Sequence, residues 1–120
     1  MKRLVCFVSC VISAIASASP PKQPLATGKY EFQLRSALHP GTKDITLIAE
    51  IIDEHIELTN ADSDEVYDFG VIAEGTLMWH AATQQWIIVN SEEDRNATDV
   101  GGCSGGPNVV DLVKLEYWTC

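Results

Sequence analysis

The stretch DITLIAEIIDEHIELT, residues 44–59, decides the fold class. Apolar side chains occupy every second position of its first half and would line one face of an extended chain: Ile45, Leu47, Ala49 and Ile51. Asp53 and Glu54 interrupt this alternation, which resumes where Ile56 and Leu58 flank Glu57. The pattern therefore predicts two strands, 44–52 and 55–59, joined by a two-residue hairpin turn.

The rest of the chain continues this pattern of short strands and turns. Further strands are predicted at 28–35, 66–69, 71–80 and 86–90, with turns at 39–43, 60–65 and 81–85. Gly75 within a strand indicates a bulge or a close backbone approach. Residues 91–108 lack periodicity and are predicted to form a loop.

The last segment, 109–119, alternates like a closing strand, although Asn108 and Asp111 form a cap-like pair that leaves a helix as the alternative. Six or seven short strands without a long helical pattern predict an all-β fold, either a small antiparallel barrel or a sandwich. The length fits a single domain, which we assign to residues 28–120.

The first 27 residues do not fit this domain. A basic start, an apolar run and the small residues Ala16-Ser17-Ala18 predict a signal peptide over 1–18, followed by a proline-rich lead-in over 19–27. The apolar run has about 13 residues, against about 20 for a membrane span. We therefore expect export to the periplasm or the extracellular space, with no stable membrane insertion after cleavage.

Signal cleavage changes the charge and the cysteine count. The full chain has 8 Lys and Arg against 17 Asp and Glu, a net charge of −9. Without residues 1–18 it keeps 6 bases and all 17 acids, a net charge of −11. This excess of acid argues against nucleic acid as a partner, because phosphate binding needs a basic surface. Cys103 and Cys120 are the cysteines that remain, and in an exported chain they are expected to form a disulfide.

The charge favours a binding module for a cationic exported protein, for instance an inhibitor of a basic enzyme, because opposite charge speeds association. Acidity that serves only solubility is the alternative interpretation. The predicted contact edge consists of acids in the loops 60–65 and 91–99: Asp62, Asp64, Glu65, Glu92, Glu93, Asp94 and Asp99.

A small-ligand carrier is the second hypothesis. Trp79, Trp86 and Trp118 could line a pocket at one end of a barrel, although aromatic side chains of this kind more often pack in a core. No cofactor is predicted. No metal site is predicted either, because His39, His55 and His80 lack the spacing of metal ligands.

A small hydrolase is the third hypothesis, and no catalytic residues are assigned to it. Ser104-Gly105-Gly106-Pro107 matches the serine segment of chymotrypsin-like proteases, but Cys103 replaces the aspartate and the chain is too short for two barrels. Of all the acids, Glu74 is the one most expected to be partly buried, because its strand is otherwise apolar. The favoured interpretation is nevertheless that its side chain faces outward. Asn96-Ala97-Thr98 is an N-glycosylation sequon.

Overall fold

A computed structural model of the protein describes residues 20–38, 45–61 and 69–120. Its seven strands are β1 (Gly28–Ser36), β2 (Ile45–Ile52), β3 (His55–Asn60), β4 (Gly70–His80), β5 (Gln85–Val89), β6 (Val109–Asp111) and β7 (Glu116–Thr119), and its helix is α1 (Glu92–Arg95). The strands pair in chain order and close into a barrel. Neighbours are antiparallel except β1 and β7, which pair in parallel because an odd number of alternating strands ends in the direction in which it began. The all-β prediction is confirmed, and the architecture is the barrel and not the sandwich.

The β2–β3 hairpin has the predicted two-residue turn. Ile52 faces His55 and Ile51 faces Ile56 across it. Asp53 carries a φ of 55°, a left-handed conformation that aspartate tolerates better than most residues. The apolar face of this hairpin points into the barrel, where its fully buried side chains form much of the core: Leu47, Ala49, Ile51, Ile56 and Leu58.

A second apolar cluster lies on the outer face of the barrel. Ile87, Val89 and Val109 are buried there and pack against Met78 and Val100. The loop that follows β5 covers this face, which explains why β5 is apolar on both sides. Part of the predicted loop 91–108 is the short helix α1, and in this respect the prediction was wrong.

The helix α1 forms because its first turn is capped. The hydroxyl of Ser91 accepts a hydrogen bond from the Asp94 N–H at 3.1 Å, and the Asp94 carboxylate accepts one from the Asn90 N–H at 2.8 Å. The first bond satisfies an amide group that a helix start leaves without a partner, and the second ties the residue before the N-cap to the helix. Three consecutive acids in the first turn add a favourable interaction with the helix dipole.

The closing segment is extended, but it is not one strand as predicted. A turn over residues 112–115 divides it into β6 and β7, which pair with each other so that Val110 faces Tyr117. The carboxylate of Asp111 accepts the N–H groups of Val113 and Lys114 at 2.9 and 2.8 Å and so stabilises the turn. Alternation alone does not reveal this break, because both halves of the hairpin alternate.

The predicted disulfide is present. Cys103 and Cys120 have Cα atoms 4.9 Å apart, and the bond joins the loop after β5 to the residue after β7. A covalent loop of this length contributes about 3 kcal/mol to stability in the chain-entropy model. Such a bond indicates an oxidising compartment outside the cytoplasm. The predicted signal peptide, the turn 39–43 and the segment 66–68 lie outside the described residues.

Candidate functional site

Three glutamates form a row across the outer face of the barrel. Glu50 on β2 faces Glu57 on β3, which in turn faces Glu74 on β4. Directly opposite residues of antiparallel strands have Cβ atoms about 5 Å apart, so the carboxylates are neighbours on one surface. Like charges in this arrangement repel each other. We call these three residues the glutamate row.

The glutamate row is accessible from solvent. The Glu74 side chain is 57% exposed. It therefore faces outward, as favoured from the sequence, and is not partly buried. Its carboxylate lies 3.8 Å from the Nε2 of His55. Lys29 faces Glu50 from β1 at the other end of the row.

Apolar side chains flank the row on the same outer face. Ile52 is 52% exposed and Val71 is 53% exposed, and Ile48 is also exposed. Thr59 on β3 lies between Ile48 and Val71 in the register. The surface therefore offers a line of negative charge with exposed apolar side chains beside it.

The sequence-based choice of acids did not include Glu50 and Glu57. A signal for this pair was available, because a two-residue turn at 53–54 places position 50 opposite position 57. The position of Glu74 opposite Glu57 could not be derived from a turn length in the same way. A register shift between Leu58 and Thr59 intervenes, and the length of the β3–β4 connection does not determine the pairing.

The acids that the sequence singled out are placed differently. Glu92, Glu93 and Asp94 lie on α1 and Asp99 lies farther along the same loop. Asp94 caps the helix, and the Glu92 carboxylate lies 3.9 Å from the Nε of Arg95, whereas Glu93 and Asp99 are exposed. The remaining members of that predicted edge lie outside the described residues: Asp62, Asp64 and Glu65.

Two of the three tryptophans meet at one end of the barrel. Trp79 and Trp86 are directly opposite each other on β4 and β5, with ring centroids 5.5 Å apart and ring planes at 67°. Trp118 on β7 is not with them. It lines a separate cleft of about 380 Å³ with Val109 and Gln85, so the structure does not assemble a pocket from all three.

The tryptophan pair borders a cavity of about 430 Å³ at the end of the barrel where β1 begins. The opposite wall is formed by residues 20–27, which we call the N-terminal strap. Leu25 of the strap packs against the barrel core. We call this space the mouth cavity.

Hydrogen bonds hold the N-terminal strap to the β2–β3 turn. The Gln23 side chain donates to the backbone oxygen of Asp53 at 3.0 Å and also bonds both backbone groups of Leu25. The hydroxyl of Thr27 accepts from the Asp53 N–H at 3.0 Å. The lead-in that follows the predicted signal peptide is therefore packed on the barrel, without regular secondary structure.

Ser104, which lies in the protease-like segment, and His80, which was considered as a metal ligand, both have structural partners. The Ser104 hydroxyl donates to the Gly101 oxygen at 2.8 Å and accepts from the Gly106 N–H at 3.2 Å. His80 is buried, and its ring nitrogens contact the Thr83 hydroxyl at 2.8 Å and the Ala97 oxygen at 2.9 Å. Among residues 20–38, 45–61 and 69–120, no three His, Cys, Asp or Glu side chains cluster as metal ligands would.

Comparisons with protein-family models, with curated proteins and with solved structures gave no match to this chain. Within the described residues no helix has the length and apolar character needed to cross a membrane.

Proposed function

We propose that this protein is an exported acidic binding module that docks a cationic protein through the glutamate row. The observation that carries the proposal is the register of β2, β3 and β4, which aligns Glu50, Glu57 and Glu74 on one exposed surface. A partner that presents lysine or arginine side chains there would replace repulsion between carboxylates with attraction.

The charge of the whole molecule supports the same kind of partner. Cleavage after residue 18 would leave a net charge of −11, which attracts basic proteins over distances longer than the contact itself. Ile48 and Val71 are exposed beside the row. They supply apolar area that a partner can bury, in addition to the attraction between charges. An inhibitor or a protective factor for a basic exported enzyme is the role that this surface fits best.

The experiment compares two variants of the mature chain that remove the same number of charges. The first variant neutralises the glutamate row by Glu50→Gln, Glu57→Gln and Glu74→Gln. The control neutralises three exposed acids of the loop after β5 by Glu92→Gln, Glu93→Gln and Asp99→Asn. Both are tested by biolayer interferometry at low and high salt against small basic enzymes, lysozyme and a basic ribonuclease among them.

We expect the wild-type chain to bind at least one enzyme of the panel, with affinity that falls as salt rises. Each carboxylate about 6 Å from a cation in water contributes roughly threefold in affinity, so the row variant should lose about thirtyfold at low salt. The control should lose much less. Equal losses would show that only the net charge matters, and a larger loss in the control would assign the contact to the loop. Either result, or no binding to any enzyme at low salt, contradicts the proposal.

A further inference from the structure

The mouth cavity is a concave feature that lies apart from the glutamate row. Its volume of about 430 Å³ lies within the range of small-molecule sites, and the N-terminal strap separates it in part from solvent. Leu77, Met78, Trp79 and Trp86 form its barrel side. This wall is apolar and aromatic, as in most small-molecule sites.

The charged residues at the mouth cavity are mainly acidic. Asp53 and Glu54 line it from the β2–β3 turn, and Lys22 of the strap is the basic residue among its lining groups. The hydrogen bonds that hold the strap use backbone groups of Asp53 and not its carboxylate. The field of the strongly acidic chain adds to the negative potential at this opening.

We propose that the mouth cavity binds a small organic cation with an apolar body, such as a quaternary or protonated amine. Trp79 and Trp86 both line this cavity, and an indole ring attracts cations that have shed part of their water. Asp53 and Glu54 add charge at the rim. Pro20, Pro21 and Leu25 of the strap cover the apolar body of the ligand.

Nuclear magnetic resonance of the indole N–H groups tests this proposal with an internal control. The chain has three tryptophans and hence three indole signals. We expect phenyltrimethylammonium, added up to about 5 mM, to shift the signals of Trp79 and Trp86 in a saturable way and to leave that of Trp118 in place. Benzenesulfonate carries the same ring with the opposite charge and should bind at least tenfold more weakly.

Variants of the chain show how much of the binding depends on the charge of the cavity rim and how much on the shape of the cavity. Asp53→Asn with Glu54→Gln should weaken binding of phenyltrimethylammonium about tenfold, at roughly threefold for each carboxylate, and should leave weak binding of neutral benzyl alcohol unchanged. The matched control is Glu92→Gln with Glu93→Gln, which removes the same charge from α1, a helix that does not line the mouth cavity, and should have little effect. An unshifted Trp118 signal in each variant shows that the fold is retained.

The proposal is overturned if no saturable shift occurs, if all three indole signals move together, or if benzenesulfonate binds as tightly as the cation. It is also overturned if the control variant weakens binding as much as the rim variant. These outcomes are independent of the glutamate row, because Gln substitutions at Glu50, Glu57 and Glu74 do not touch the mouth cavity.

Discussion

Replacing the central carboxylate of the glutamate row should stabilise the fold. Glu57 faces Glu50 on one side and Glu74 on the other, whereas each of those two has a single glutamate neighbour. Two carboxylates about 6 Å apart in water repel each other by about 0.7 kcal/mol before screening. Glu57→Gln removes two such terms, so the free energy of unfolding should rise by about 1 kcal/mol at low salt. At physiological salt, screening should reduce the gain by roughly half.

Urea and thermal unfolding of the mature chain measure this effect. In a domain of this size about 1 kcal/mol corresponds to roughly 4–8 °C in Tm. The control is Glu31→Gln, since Glu31 is an exposed glutamate on β1 that faces Ile48 and should change stability by less than about 0.5 kcal/mol. A Glu57→Gln variant that is no more stable than the wild type at low salt, or whose gain does not shrink with added salt, would refute the repulsion inferred from the register.

Three further predictions concern the fold. Cys103→Ser with Cys120→Ser should lower the free energy of unfolding by about 3 kcal/mol, and dithiothreitol should reproduce this loss in the wild-type chain but not in the variant. Gly75→Ala should cost about 1–3 kcal/mol in urea unfolding, because a Cβ there would lie 2.6 Å from the backbone oxygen of Val89; an unchanged midpoint would contradict this close approach. His80→Ala should leave a carbonyl of the loop after β5 without its donor and cost about 1–3 kcal/mol, with faster amide exchange confined to that loop.

Local patterns in the sequence were sufficient to predict most of the strands. Alternation identified β1, β2 and β3 because each has one face in the barrel core. The position of Gly75 correctly indicated a close backbone approach. What local patterns could not show is a turn inside an alternating segment, and for this reason β6 and β7 were predicted as one strand. The helix α1 was missed because four residues are too few to show a helical period.

The two proposed binding surfaces depend on register more than on residue type. Charged loops were an obvious place to look for acids, yet in the described part of the chain a row of glutamates arises on strands, where each glutamate alone looks like an ordinary solvent-facing residue. Similarly, Trp79 and Trp86 could be paired only once β4 and β5 were aligned. Trp86 on β5 points into the barrel, whereas Trp118 on β7 points outward. Composition therefore indicated the chemistry of these sites, while strand pairing determined which side chains share them.

The carboxylates of the glutamate row are expected to lower the stability of the fold and to raise its affinity for a basic partner. These opposite effects distinguish the proposed function from a purely structural role. Neutralising Glu57 is expected to strengthen the fold and, together with its neighbours, to weaken docking of a basic partner. Loss of binding in a variant that unfolds at higher temperature cannot be explained by misfolding. A row that only kept the protein soluble would not require its carboxylates to be opposite each other, because the same charge spread over the surface serves solubility without repulsion between neighbours. A repulsive arrangement that gives the isolated chain no advantage is expected at sites where function is favoured over stability.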